Sequence, residues 1–115
     1  MKIAVVGSRS FKDRERLFKE LDLFHLEKPI SLIISGGAIG ADSLAEDWAK
    51  SRGVSTQIFL PDWKTHGKSA GFIRNQDIIS ACEECVAFWD GESRGTLHSI
   101  NLAKAKGLPL TLIKY

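Results

Sequence analysis

Five short apolar runs, at residues 2–6, 30–34, 54–60, 85–89 and 109–113, alternate strictly with four helical patterns at 13–25, 41–51, 69–81 and 96–106. Nearly continuous apolar runs of this length suit strands covered on both faces. Strict alternation means that each strand is followed by a helical crossover, and such crossovers are right-handed. The sequence therefore predicts an α/β chain: a three-layer Rossmann-like fold with a five-stranded parallel sheet and helices on both faces. Its 115 residues make one domain, 1–115, large enough to bury a core and too small for two.

The second helical pattern is the clearest. Ala41, Leu44, Ala45, Trp48 and Ala49 fall on one stripe, while Asp42, Glu46, Asp47 and Lys50 lie off it. In the first, Leu17, Leu21 and Phe24 make the stripe, Asp13 is placed as an N-cap, Glu15 and Lys19 are spaced as an i,i+4 pair, and the charges of 12–20 form a solvated face. Gly53 and Gly107 stand just past two helices, where a left-handed C-cap is expected.

Three glycine turns follow strands and should share the carboxyl edge of the sheet, where ligands of doubly wound folds lie. They are Gly7-Ser8-Arg9-Ser10, the run from Ser35 through Gly36, Gly37 and Gly40 to Asp42, and Asp90-Gly91-Glu92-Ser93-Arg94-Gly95-Thr96. Glycines let a ligand approach the backbone, and first-turn N–H groups favour an anion. The expected site is a composite phosphate pocket. Arg9 and the 36–40 and 93–96 turns would hold phosphate, and Asp42 would meet a sugar hydroxyl. Arg74 and Asn75 would face the same pocket while Phe72 and Ile79 pack, and Trp63 and Trp89 stand where a base would stack. Lys68 lies in an expected loop, 63–71, at the same edge.

Other motifs are excluded by spacing. Ser35-x-Gly37-x-x-Gly40 lacks the first glycine of a dinucleotide fingerprint and follows the second strand, and Gly67-Lys68-Ser69 has Asp62 where a phosphate-binding loop needs glycine. Cys82 and Cys85 sit at a helix end before a strand, and His25, His66 and His98 have no ligand spacing, so no metal and no cofactor is expected. The 16 basic and 14 acidic residues leave a charge of +2 with no basic stripe, which argues against nucleic acid as a partner. With no basic leader or spanning segment, the expectation is a cytoplasmic protein free of membrane.

The motifs Gly7-Ser8-Arg9, Ser35-Gly36-Gly37-Ala38-x-Gly40-Ala41-Asp42-x-Leu44-Ala45-Glu46-x-Trp48-Ala49, Pro61-x-Trp63, Ala70-Gly71-x-x-Arg74-Asn75 and Ala87-Phe88-Trp89-Asp90-Gly91-x-Ser93-x-Gly95-Thr96 resemble the DUF2493, YspA-related group of the SLOG superfamily. The resemblance covers nearly the whole chain. It implies a compact Rossmann-like fold and a pocket for a nucleotide or nucleotide-derived small molecule. Pairing is common among small SLOG domains, so a homodimer is implied, with no face singled out. Superfamily relatives include lonely-guy phosphoribohydrolases and DprA. The former carry a glutamate where this chain has Ser99, so the second reading, an N-glycoside hydrolase in the same pocket, would need Asp42, Glu46, Asp90 or Glu92 as its carboxylate. A DNA-binding role like that of DprA is disfavoured by the charge.

Overall fold

The computed structural model describes residues 1–115. In chain order the elements are β1 (Lys2–Gly7), α1 (Arg14–Glu27), β2 (Leu32–Ser35), α2 (Ala41–Arg52), β3 (Ser55–Ile58), α3 (Trp63–His66), α4 (Ala70–Ala81), β4 (Glu84–Trp89), α5 (Arg94–Lys106) and β5 (Leu110–Lys114), with a 3-10 turn at Gly67–Ser69. All five strands are parallel in the order β3-β2-β1-β4-β5. This is the expected Rossmann-like sheet, and its order reverses between β1 and β4.

Alternation along β1 divides the core in two. Ile3 and Val5 point to one face, where Phe11, Leu17, Leu21, Ala45, Trp48 and Ala49 from the α1–α2 side cover them. Ala4 and Val6 point to the other, against Ile78, Ile79, Ile100 and Ala103 of α4 and α5. Trp48 is fully buried, and its Nε1–H donates to Asp22 Oδ1 at 2.8 Å. A buried indole keeps its polar atom satisfied in this way. Cys82 and Cys85 are buried free thiols in the second core half, and desolvation pushes the Cys85 thiol up to about 12. No helix is long and apolar enough to cross a membrane.

Several boundaries differ from the sequence reading. Residue 30 is buried yet outside β2, because its N–H donates to His25 Nδ1 at 2.9 Å rather than to a neighbouring strand. β3 is shorter than expected and exposed at all four residues, since it is the sheet's edge. The expected loop at 63–71 contains α3, whose start is capped by the Asp62 carboxylate accepting from Thr65 N–H at 3.1 Å. α5 begins two residues before Thr96, with Ser93 as its cap. Asp13 caps α1, and Gly53 and Gly107 end α2 and α5 with φ of +68° and +73°, as their positions require. The ion pairs formed are Arg14–Asp47 and Arg52–Asp22; Glu15 and Lys19 do not pair.

Candidate functional site

The three glycine turns converge where β1 and β4 end, at the reversal of strand order. Gly40 makes the convergence tight. Its φ is +88°, and a Cβ there would lie 2.5 Å from the Ser8 carbonyl oxygen and 2.8 Å from Arg9 Cα. Only glycine lets the α2 entrance sit against the β1 loop. The β4 turn is tied in by Asp90 N–H donating to Ser8 Oγ at 3.3 Å and by Ser10 Oγ donating to Asp90 Oδ2 at 3.4 Å.

These contacts enclose a polar cleft of about 500 Å³. Of the sequence-derived site residues, Gly7, Ser8, Arg9, Asp42, Arg74, Asn75, Asp90, Ser93, Gly95 and Thr96 line it. Six polar residues of the chain are buried, and five of them (Ser8, Asp42, Asn75, Thr96 and Ser99) border this cleft. Burying hydroxyl, amide and carboxylate groups is costly away from a site that uses them. A second, less polar cleft of about 410 Å³ adjoins the first, sharing Arg9, Ala38, Arg74, Asn75 and Gly95 with it. Its other walls include Gly36, Gly37, Leu60, Trp63, Lys68 and Phe72. Together the two make one continuous groove along the carboxyl edge.

Asp42 does not wait for a sugar. It is 7% exposed, and its Oδ2 accepts from Gly36 N–H and Ala38 N–H, both at 3.2 Å. Burial raises its carboxyl to about 6, against the opposing effects of the Ala38 N–H and of the nearby Arg74 charge. Two N–H groups of the expected 36–40 phosphate cradle are therefore spent on the chain's own carboxylate. Donors remain in the first turn of α2, whose cap, Gly40, brings no side chain to them. Glu46 is likewise engaged, accepting from Ser35 Oγ at 2.6 Å, and neither Ser35 nor Glu46 lines the groove.

Arg74 braces the groove. Its Nη1 donates to the Gly36 carbonyl at 2.6 Å and its Nε to Asn75 Oδ1 at 3.0 Å, while burial and then the Arg9 charge work against its ionisation and Asp42 supports it. Asn75 reaches α5, donating to the Gly95 carbonyl at 3.4 Å and meeting His98 Nδ1 at 3.2 Å. Asp90 is held ionised below the usual carboxylate range, chiefly by Ser93 N–H at 2.8 Å and then Glu92 N–H at 2.9 Å. Gly91, with φ +85°, shapes that turn without lining the groove. Trp63 is 58% exposed on the groove wall, whereas Trp89 is half-buried and donates its Nε1–H to the Ser93 carbonyl at 3.1 Å.

Phe72 was expected to pack. It is 51% exposed beside the groove, edge-on to His98 at 4.6 Å between ring centroids. Ser99, Ile78 and Leu60 also line the groove, outside the residues expected from the sequence. Ser99 stands one turn beyond Thr96, so the helical period alone places both on one face.

The YspA, cpYpsA-related SLOG family profile matches residues 1–66. The Gene 61 protein of Mycobacterium phage D29 is 34% identical over 116 residues, covering 95% of this chain and 93% of that protein. DNA processing protein A from Streptococcus pneumoniae shares the fold, with a TM-score of 0.80 at 22% identity over 96% of this chain and 49% of that one. So does DNA processing protein A from Helicobacter pylori, solved to study its single-stranded DNA binding mode, with a TM-score of 0.76 at 20% identity over 97% of this chain and 64% of that one. The chain thus spans about half to two thirds of the solved proteins it matches.

These neighbours correct two expectations. A free nucleotide or nucleotide-derived small molecule as ligand, bound or hydrolysed, conflicts with these two similar structures, both DNA processing proteins, one of them described by its single-stranded DNA binding mode. The exclusion of nucleic acid fails with it. Net charge sums over the whole surface, whereas a strand feels the local field. Here Arg9, Lys68 and Arg74 line the groove, while its acidic residues Asp42 and Asp90 are engaged by backbone N–H groups. With more than half its length matched by the profile, the chain belongs to the YspA, cpYpsA-related SLOG family.

Proposed function

We propose that this protein binds single-stranded DNA along the groove at the carboxyl edge of its sheet. The observation that carries the reading is the continuity of two unlike clefts through Arg9 and Arg74, one polar and one walled by Trp63, Phe72 and Leu60. A strand presents just such a repeat of phosphate and base. Proteins that hold single strands combine cations along the backbone with aromatic surfaces on which bases stack. Arg9, Lys68 and the α2 first turn supply the former, with Arg74 bracing the wall, and Trp63 and Phe72 supply the latter. The single-stranded DNA binding of the Helicobacter pylori neighbour supports the assignment.

The two groove cations free to meet phosphate, Arg9 and Lys68, set a scale. With two phosphate contacts, the logarithmic salt slope on a single strand is roughly −1.4, so affinity falls about 7-fold between 50 and 200 mM salt. Fluorescence anisotropy of a short labelled oligothymidylate, titrated across that range, measures it. Arg9→Ala should flatten the slope by about 0.7. No saturable binding at low salt, or competition by thymidine monophosphate as strong as by the oligomer, would overturn the proposal.

A further inference from the structure

The outer edge of β3 has no strand beside it, and Ser55, Thr56, Gln57 and Ile58 are all exposed. Open edges are normally protected by charged side chains, proline, bulges or a covering segment. β3 has none within it. Residues 53–61 contain no charged side chain, in a protein where 26% of residues are charged. The opposite edge, β5, carries Lys114 and is largely shielded. Beside the bare edge, Ile58 and Leu60 are 43% and 71% exposed, their methyl groups lying together over Gly37.

We infer that the β3 edge is a docking surface for a second copy of this chain, the two β3 strands pairing antiparallel across a two-fold axis. Self-pairing sets each residue against its own sequence, so any charge near the axis would face a like charge. An uncharged strand is what such pairing needs. The flanks add direction: the uncharged run is closed by Arg52 on one side and Asp62 on the other. Antiparallel pairing centred on Gln57 brings Arg52, which is paired with Asp22 of its own copy, to the end occupied by the partner's Asp62, which caps α3; the two ends are opposite in sign, whereas parallel pairing sets like beside like. The same register places Thr56 opposite the partner's Ile58 and lets the Ile58–Leu60 ridge of each copy extend the contact. This surface is separate from the polar cleft and meets the less polar one only at Leu60, so the strand pairing does not depend on the DNA-binding proposal.

Sedimentation velocity across a concentration series reads the wild-type mass, and Gln57→Lys and Ile58→Lys, both at exposed positions, should shift it from dimer to monomer with an unchanged circular dichroism spectrum. Gln57→Cys supplies an independent readout. A residue on the axis of an antiparallel pair meets its copy at roughly 4.5–5.5 Å between Cα atoms, within reach of a disulfide, and the two native thiols are buried. Mild oxidation should therefore give a covalent dimer from Gln57→Cys and none from Leu26→Cys, which is on the other exposed apolar surface, α1, and is 82% exposed. A wild-type monomer at every concentration, a dimer that survives both lysine variants, or cross-linking through Leu26→Cys instead of Gln57→Cys would overturn the inference.

Discussion

Asp42→Asn tests how the groove is held together. The carboxyl of Asp42 is raised from an ordinary 3.8 to about 6 by burial, so the folded protein binds its proton more tightly than the unfolded chain does. The stability this proton gives is fully present below pH 3.8 and is lost as pH rises through 6. At 1.36 kcal/mol per unit, the difference of about 2 units is worth about 3 kcal/mol across that window. Asparagine keeps an oxygen able to accept from Gly36 and Ala38 N–H but does not titrate. Urea unfolding of wild type and Asp42→Asn at intervals from pH 4 to pH 7 isolates the effect, because every other ionisation is common to both. The wild type should lose about 2.4 kcal/mol relative to the variant between pH 4 and pH 7, making Asp42→Asn the more stable protein at neutral pH by whatever survives the loss of the Arg74 attraction. Stability curves that stay parallel over this interval would refute the claim that burial, rather than its N–H partners, governs this carboxylate.

Trp63→Ala should weaken single-strand binding by about 1–3 kcal/mol, read by anisotropy, with thermal stability little changed because the indole is 58% exposed. Gly40→Ala should lower stability by more than about 1 kcal/mol in urea titration, since a side chain is strained at φ +88° and meets the Ser8 carbonyl. Ser93→Ala removes the cap that accepts from Thr96 N–H at 3.4 Å and should cost about 1 kcal/mol in the same measurement.

Much of this architecture is local in origin and legible in the sequence. Alternating apolar runs and helical stripes define the parallel sheet, Asp13 begins α1, and Gly53 and Gly107 end α2 and α5 because the left-handed cap is a property of single residues. The three strand-to-helix turns follow from the same logic, and topology alone carries them to one edge. What a side chain does inside the site was decided elsewhere. Periodicity set Asp42 off the apolar stripe, yet tertiary packing buries it, and its partners come from the turn that precedes the helix. Phe72 has the spacing of a core residue, but the elements around it leave it open beside the groove. The 54–60 run carries Ser55, Thr56 and Gln57 in succession and becomes an exposed edge, but which edge it takes in the sheet is a long-range property that no single segment encodes. Charge divides in the same way. The sequence determines the total of +2, whereas only the fold gathers Arg9, Lys68 and Arg74 along one groove and turns its carboxylates toward the backbone. A sum has no position, and recognition of a strand depends on where the charges stand.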